Sequence, residues 1–228
     1  MHRHHSDLFY VLAGELTVGL GPDVRETAVP AETLILAPPL VVHAFRNASD
    51  AELRYLNFHA PGAGFAGFLR GLRDGTGETF DSEDPPSDGG LPAADALFAT
   101  SDDPGGGGLR ATVLADVDSL GVAEACAEAG SPAPPLHLHR RHLESFYVLA
   151  GELLFTIGDA ELRATAGSWV QVPPETSHTF ACAGSEQARF LNLHAPSCGY
   201  GAFVRALRSA RDERELAEAR AAFDQEPA

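Results

Sequence analysis

The sequence predicts a mainly β chain built from two tandem copies of one unit, and three observations carry that prediction. The octapeptide Phe9-Tyr-Val-Leu-Ala-Gly-Glu-Leu16 recurs unchanged as Phe146 to Leu153. Two further blocks repeat in the same order. Pro38-Pro39 with His43 and Phe45 matches Pro173-Pro174 with His178 and Phe180, and Arg54-Tyr-Leu-Asn-Phe-His-Ala-Pro61 matches Arg189-Phe-Leu-Asn-Leu-His-Ala-Pro196. Finally, all ten histidines lie in the matched blocks, five to a copy: His2, His4, His5, His43 and His59, then His137, His139, His142, His178 and His194. A repeat of this length marks a duplicated domain and not a local motif.

In chain order, the first copy opens directly on a strand pattern. The offset between copies falls from the first block to the second, which places a two-residue insertion around Gly19 to Pro30, where Gly-Leu-Gly-Pro-Asp writes a hairpin turn. An amphipathic helix closes each copy. Phe65, Phe68, Leu69 and Leu72 recur at helical spacing, as do Phe203, Leu207 and Ala210, so these helices are expected to pack outside the sheets. Arg70, Arg73, Arg205 and Arg208 read as solvated charge toward the helix ends and not as a binding patch. The expected organisation is a first domain over 1–75, an acidic Pro/Gly-rich connector over 76–108, and a second domain over 109–228. Within the connector, Leu91 to Thr100 has enough apolar residues for a short element packed on one of the domains. Ala111 to Asp116 and Gly121 to Glu128 supply two strands that have no counterpart in the first copy, so the chain begins inside its first motif.

Composition bounds the function. Charged residues make up 21% and apolar residues 44%, with no signal peptide and no apolar run long enough to cross a bilayer, so cytoplasm is the expected address. A formal charge of -16 argues against a nucleic-acid partner, and no membrane partner is expected. Nine acidic residues and no basic one fall between Asp74 and Leu109, more than half of the net charge. All sixteen basic residues are arginine, which with abundant Ala, Gly and Pro fits a GC-rich bacterial genome. Without a lysine, a Schiff base, a pyridoxal-phosphate (PLP) enzyme and a P-loop nucleotide site are excluded. Three cysteines, Cys126, Cys182 and Cys198, with no C-x-x-C spacing, read as buried free thiols.

The chemistry concentrates in His137-Leu-His139-Arg-Arg-His142-Leu-Glu144, ahead of a strand. Alternation puts His137 and His139 on one side of a strand, close enough to share an ion, while Leu138 faces away. Glu144 joins them only if the chain bends within Arg140 to Leu143, and Arg-Arg-His suits an exposed turn there. Further along, Gly167-Ser-Trp-Val-Gln-Val-Pro-Pro-Glu-Thr-Ser-His178 offers a fourth ligand after a proline turn. These two stretches resemble the cupin pattern: His-x-His, four residues, Glu, six residues, Gly, and then Gly, five residues, Pro, followed by His. The resemblance implies two antiparallel barrels of the jelly-roll kind in tandem, with His137, His139, Glu144 and His178 as ligands of one divalent transition metal. Two positions depart from the pattern: Glu175 where a turn glycine is usual, and Cys182 where Asn is frequent.

Three imidazoles and a carboxylate suit Fe, Mn, Co, Ni or Zn, and four protein ligands leave open coordination positions. His142 is skipped by the cupin spacing and reads as a turn residue or a partner behind the ligands. Phe190, Asn192 and His194 share one strand face and are expected to face the pocket, with Phe180 as a wall; Phe146, Tyr147 and Trp169 read as core. In the first copy, register places His2 on His139, Asp7 on Glu144 and His43 on His178. That degenerate set is expected to be the weaker of the two, with His2 poorly ordered at the terminus. The missing strands predict an open sheet edge, along which the connector or a second subunit should lie. There is no nucleophile elbow, no dinucleotide fingerprint and no H-E-x-x-H, so any catalysis is metal-centred. The resemblance is to the quercetin dioxygenase-like cupins, implying a metal-dependent dioxygenase of a small organic or aromatic molecule and a homodimer. The alternatives are a metal-dependent isomerase or lyase of a sugar or keto acid, or a small-ligand-binding cupin that is no enzyme.

Overall fold

The computed structural model describes residues 1–87, 89–92, 97–100 and 108–228, and the chain divides into two compact units, Met1–Thr100 and Ser101–Ala228. The first contains β1 (Ser6–Ala13), β2 (Glu15–Leu20), β3 (Arg25–Pro30), β4 (Thr33–Ala37), β5 (His43–Arg46), β6 (Arg54–Ala60), α1 (Phe65–Asp74) and β7 (Leu97–Thr100). Its strands form two antiparallel sheets, ordered β6-β1-β4-β7 and β3-β2-β5. Phe9, Val11, Leu16, Val18 and Ile35 fill the space between them.

The second unit contains β8 (Leu109–Val117), β9 (Leu120–Ala127), β10 (His137–Leu138), β11 (Leu143–Ala150), β12 (Glu152–Ile157), β13 (Ala160–Thr165), β14 (Trp169–Val172), β15 (His178–Cys182), β16 (Ala188–Ala195), α2 (Tyr200–Ser209), α3 (Glu213–Phe223) and β17 (Glu226–Pro227). Two five-stranded sheets, β13-β12-β15-β10-β17 and β14-β11-β16-β9-β8, make the jelly-roll sandwich. Between them Phe146, Phe155, Phe180 and Phe190 form a ring cluster with centroids 4.9–6.1 Å apart. Full burial of a phenylalanine stabilises by about 1.5–3 kcal/mol, so this cluster is the energetic centre of the unit. Helix α3 is capped by Asp212, whose carboxylate accepts from the Glu215 amide at 2.8 Å.

The duplication explains its own invariants. The shared Ala-Gly-Glu corner needs glycine, because Gly14 (φ +78°) and Gly151 (φ +74°) take left-handed backbone. A Cβ there would also stand 2.4 Å from the Glu52 carbonyl oxygen or 2.6 Å from that of Gln187. The two-residue insertion is the hairpin turn itself: β2 and β3 close at the pair Leu20 and Arg25, whereas β12 and β13 close at Ile157 and Ala160.

Several expectations are corrected. The connector strand β7 does join the first sheet, but on β4; the edge left open by the missing strands is the other one, at β6, since β9 and β8 follow the equivalent strand β16 in the second unit. The expectation for Leu91 to Thr100 is met only over β7, since residues 93–96 lie outside the described residues, as do 88 and 101–107. Trp169 is 45% exposed and not core, because it lies at the start of the edge strand β14. The apolar stripe of α1 is only half covered: Phe65 and Phe68 pack against Phe80, while Leu69 and Leu72 face solvent. Of the three free cysteines only Cys126 is buried. Among the described residues no helix is long and apolar enough to cross a membrane.

Candidate metal centre

In the second unit the chain brings His137, His139, Glu144 and His178 together, with one ligand atom of each within 4.8 Å of every other. Strand pairing does the positioning. His137 lies directly opposite His178 across β10 and β15, and Glu144 lies opposite His194 across β11 and β16. The bend required between His139 and Glu144 falls at 139–142, between β10 and β11. Arg140 and Arg141 are exposed there, but His142 is not: it is 1% exposed and packs 4.2 Å from the His139 ring. The expected exposed turn is therefore two residues long.

Hydrogen bonds fix the tautomers. His137 Nδ1–H donates to the Pro135 carbonyl at 2.7 Å, His139 Nδ1–H to that of Asp224 at 2.9 Å, and His178 Nδ1–H to that of Thr176 at 3.0 Å. All three Nε2 atoms are thereby left to face the carboxylate, at 3.9, 3.1 and 2.7 Å from Glu144 Oε2. Lone pairs of three buried imidazoles converging on a carboxylate oxygen require a cation between them, a proton at least. The donor set, three nitrogens and one oxygen, fits a divalent transition ion. A proton meets part of that demand. Burial lowers the His178 pKa, but its bond to Glu144 outweighs this and raises it above the ordinary value. Burial would raise Glu144, yet His194, His139 and His178 hold it well below the carboxylate range. Burial pushes His137 and His142 down to about 4 and His194 well below its ordinary value, so they are neutral at pH 7.

Behind the carboxylate, Asn192 Nδ2 donates to Glu144 Oε1 at 2.7 Å. The Asn192 Oδ1 accepts from His194 Nε2 at 3.1 Å and from the Tyr200 hydroxyl at 2.6 Å. Neither ring nitrogen of His142 nor the Nδ1 of His194 has a hydrogen-bond partner among the described residues. A cavity of about 630 Å³ opens onto His137, His139 and Glu144. Its walls include Phe180, Phe190, Asn192 and His194, joined by Phe203, Val204 and Phe223 from the two helices, with Arg220 and Arg208 also lining it. Arg208, read from sequence as solvated charge, ties α2 to β8 by donating to the Ala111 carbonyl.

The first unit repeats the arrangement with a shorter acid. His2 Nε2 and His43 Nε2 stand 3.5 and 3.3 Å from Asp7 Oδ2, with His43 Nδ1–H bonded to the Val41 carbonyl at 2.9 Å. Asn57 Nδ2 donates to Asp7 Oδ1 at 2.5 Å, as Asn192 does to Glu144. His2 is not loose as expected from its position: it is 6% exposed, and its Nδ1–H donates to the Asp81 carbonyl at 2.5 Å. His4 is exposed and belongs to no cluster, whereas His5 bonds both Asp81 and His59.

Sequence reasoning missed Asp224, Asp81 and Tyr200. A signal existed for the aspartates, since Phe80-Asp-Ser-Glu83 and Phe223-Asp-Gln-Glu226 are a further repeat. It lies outside the spacing of the others because the second copy inserts α3 before it.

A duplicated jelly roll with a histidine-carboxylate cluster inside each copy defines a tandem β-sandwich of the metal-site type. The sequence matches the family model described as Cupin domain over residues 1–59 and 124–194, more than half of the chain, and the chain belongs to that family. No protein of curated function matches the sequence. Solved structures similar to it include a Pseudomonas aeruginosa protein described as glyoxylate-induced (14% identity, TM-score 0.60, covering 85% of this chain and 67% of that one). A variant of salicylate 1,2-dioxygenase from Pseudoaminobacter salicylatoxidans matches at 12% identity and TM-score 0.61, over 85% and 65%. A variant of Bacillus subtilis oxalate decarboxylase matches at 16% identity and TM-score 0.54, over 85% and 64%. This chain therefore spans about two thirds of the length of those structures, and the likeness is one of fold.

Proposed function

We propose that this chain is a metal-dependent dioxygenase of a small aromatic molecule, working at the second cupin unit. The observation that carries the reading is the convergence of three Nε2 atoms and Glu144 Oε2 at one end of an aromatic-walled cavity. A divalent transition metal held by His137, His139, Glu144 and His178 would supply Lewis acidity and, if redox-active, electron transfer. The chain's own contributions are separable. Phe180 and Phe190 exclude water and offer ring faces to a flat substrate. Arg220, half-buried at the cavity wall and with no ion pair among the described residues, suits an anionic substituent on that substrate. Asn192 holds the Glu144 carboxylate so that its other oxygen stays turned to the histidines.

The test is anaerobic titration of iron- or manganese-loaded protein with a panel of flavonols, catechols and aromatic acids, followed by admission of oxygen. Stoichiometric oxygen uptake with one ligand class is expected, and no uptake with any would sink the reading. Cytoplasmic location and a homodimer belong to the same proposal. Light scattering at micromolar concentration checks the dimer, against a chain mass of 24.0 kDa.

A further inference from the structure

The geometry points to Asp224 as a positioning residue that clamps the metal-ligating loop of the second copy, with Asp81 as its counterpart in the first. Three contacts make the clamp. The Asp224 carbonyl accepts His139 Nδ1–H at 2.9 Å, which fixes both the tautomer and the rotation of that ring. Asp224 Oδ2 accepts from two consecutive amides of the bend, Arg140 at 3.0 Å and Arg141 at 2.8 Å. The same oxygen stands 3.5 Å from His142 Nδ1. One residue thus holds the main chain of the loop and the orientation of its ligand together, and Asp224 is itself 6% exposed.

The first copy repeats these contacts by a different route. The Asp81 carbonyl accepts His2 Nδ1–H at 2.5 Å, and its carboxylate accepts the amides of Arg3 at 3.0 Å and His4 at 2.6 Å. It also bonds His5 Nδ1 at 2.9 Å. Two residues on, Glu83 receives Arg3 Nε at 2.9 Å, as Glu226 receives Arg140 Nε at 2.8 Å. The intervening chain is not conserved in form. One helix precedes Asp81, two precede Asp224, and Asp224 takes left-handed backbone (φ +76°) while Asp81 does not. Identical contacts reached through unlike connections are the mark of a constraint on the loop and not of a shared local path. Hydrogen-bond partners behind a ligating histidine commonly change metal affinity by about 10–100-fold when removed.

The clamp's role in ligation rests on the metal reading above, so the test has two arms. In the first, the full chain is titrated with cobalt(II), whose visible absorption reports coordination, using wild type, Asp224→Ala, Asp224→Asn and Asp159→Ala. Asp224→Ala keeps the main-chain carbonyl but releases the amides of Arg140 and Arg141, so it acts on His139 through the loop and is expected to weaken that site by about tenfold and to alter its spectrum. Asp224→Asn, which keeps a neutral side-chain acceptor for the two loop amides, should fall between it and wild type, and it decides the matter if Asp224→Ala does not fold. Asp159→Ala, in the exposed turn between β12 and β13, should leave that spectrum unchanged. In the second arm, amide exchange of Arg140 and Arg141 is measured without metal, and at least a tenfold acceleration is expected on removing the carboxylate. Wild-type cobalt affinity and spectrum in both Asp224 variants would overturn the positioning role. Absence of cobalt binding in the wild type would sink the metal reading alone, and unchanged exchange at Arg140 and Arg141 would then overturn the clamp.

Discussion

Asn192 donates to Glu144 Oε1 at 2.7 Å, and in the first copy Asn57 donates to Asp7 Oδ1 at 2.5 Å, so each unit anchors one oxygen of its carboxylate and leaves the other to the histidines. Replacing Asn192 by Ala should therefore lower metal affinity of the second unit by about 10–100-fold while the fold is kept. Isothermal titration with zinc checks this, and unchanged affinity would show that Glu144 needs no anchor.

The two copies are expected to be unequal. Glu144 reaches His178 at 2.7 Å and His139 at 3.1 Å, whereas Asp7, one methylene shorter, stops at 3.3 and 3.5 Å from His43 and His2. The second unit also has a third imidazole in the set. Mutating His139 and His178 to Ala should remove most bound metal from natively purified protein, and mutating His2 and His43 should change it little. Elemental analysis of the two double variants reads the answer, and the reverse result would move the working site to the first copy.

Tyr200 stands in the second copy where Phe65 stands in the first. Its hydroxyl donates to Asn192 Oδ1 at 2.6 Å, in a fully buried position. Tyr200→Phe leaves that oxygen with His194 as its partner and should cost about 0.5–1.5 kcal/mol, read from the urea midpoint.

Glu175 occupies left-handed backbone (φ +63°) in the turn before His178, where its amide donates to the His139 carbonyl at 2.6 Å. Leu40 does the same in the first copy, with φ +69° and a 2.7 Å bond to the His2 carbonyl. The geometry is kept for that bond, at the expense of a conformation that suits glycine. Glu175→Gly should stabilise by about 1 kcal/mol without loss of metal, and destabilisation would show that the side chain matters more than the backbone.

Acid should destabilise the metal-free protein well above the carboxylate range. Burial lowers His59, His137 and His142 to about 4, so between about pH 6.5 and 4 the unfolded chain binds protons that the folded chain refuses, and stability falls as pH drops through that window. His178 acts oppositely: its raised pKa gives stability that is full below 6.5 and lost as pH rises through the folded value. Asp7 and Asp81 are also buried in part, but their histidine and amide partners pull both down to about 2. Their contribution is present above about 3.9 and lost only as pH falls through 2. Melting temperatures of chelator-treated protein from pH 7 to 4 check this, and a flat profile would refute it.

By itself the sequence determined the duplication, the strand-rich class, the jelly-roll expectation and the ligand candidates. Those depend on short spacings: side chains alternate along a strand, so His137 and His139 share a side, and the Gly151 corner sits a set distance beyond Glu144. Only the tertiary structure decided which groups stand behind the ligands. Asp224 meets His139 across 85 positions, and Tyr200 meets Asn192 through the start of α2, because the ends of both helices close over the same cavity. The edge taken by β7 was equally beyond reach, since either edge strand offers the same unpaired amides and carbonyls and no residue pattern in Leu97 to Thr100 distinguishes β4 from β6. Side-chain periodicity is written locally and survives in the sequence, whereas the choice among chemically equivalent partners is made by how the sheets and helices pack.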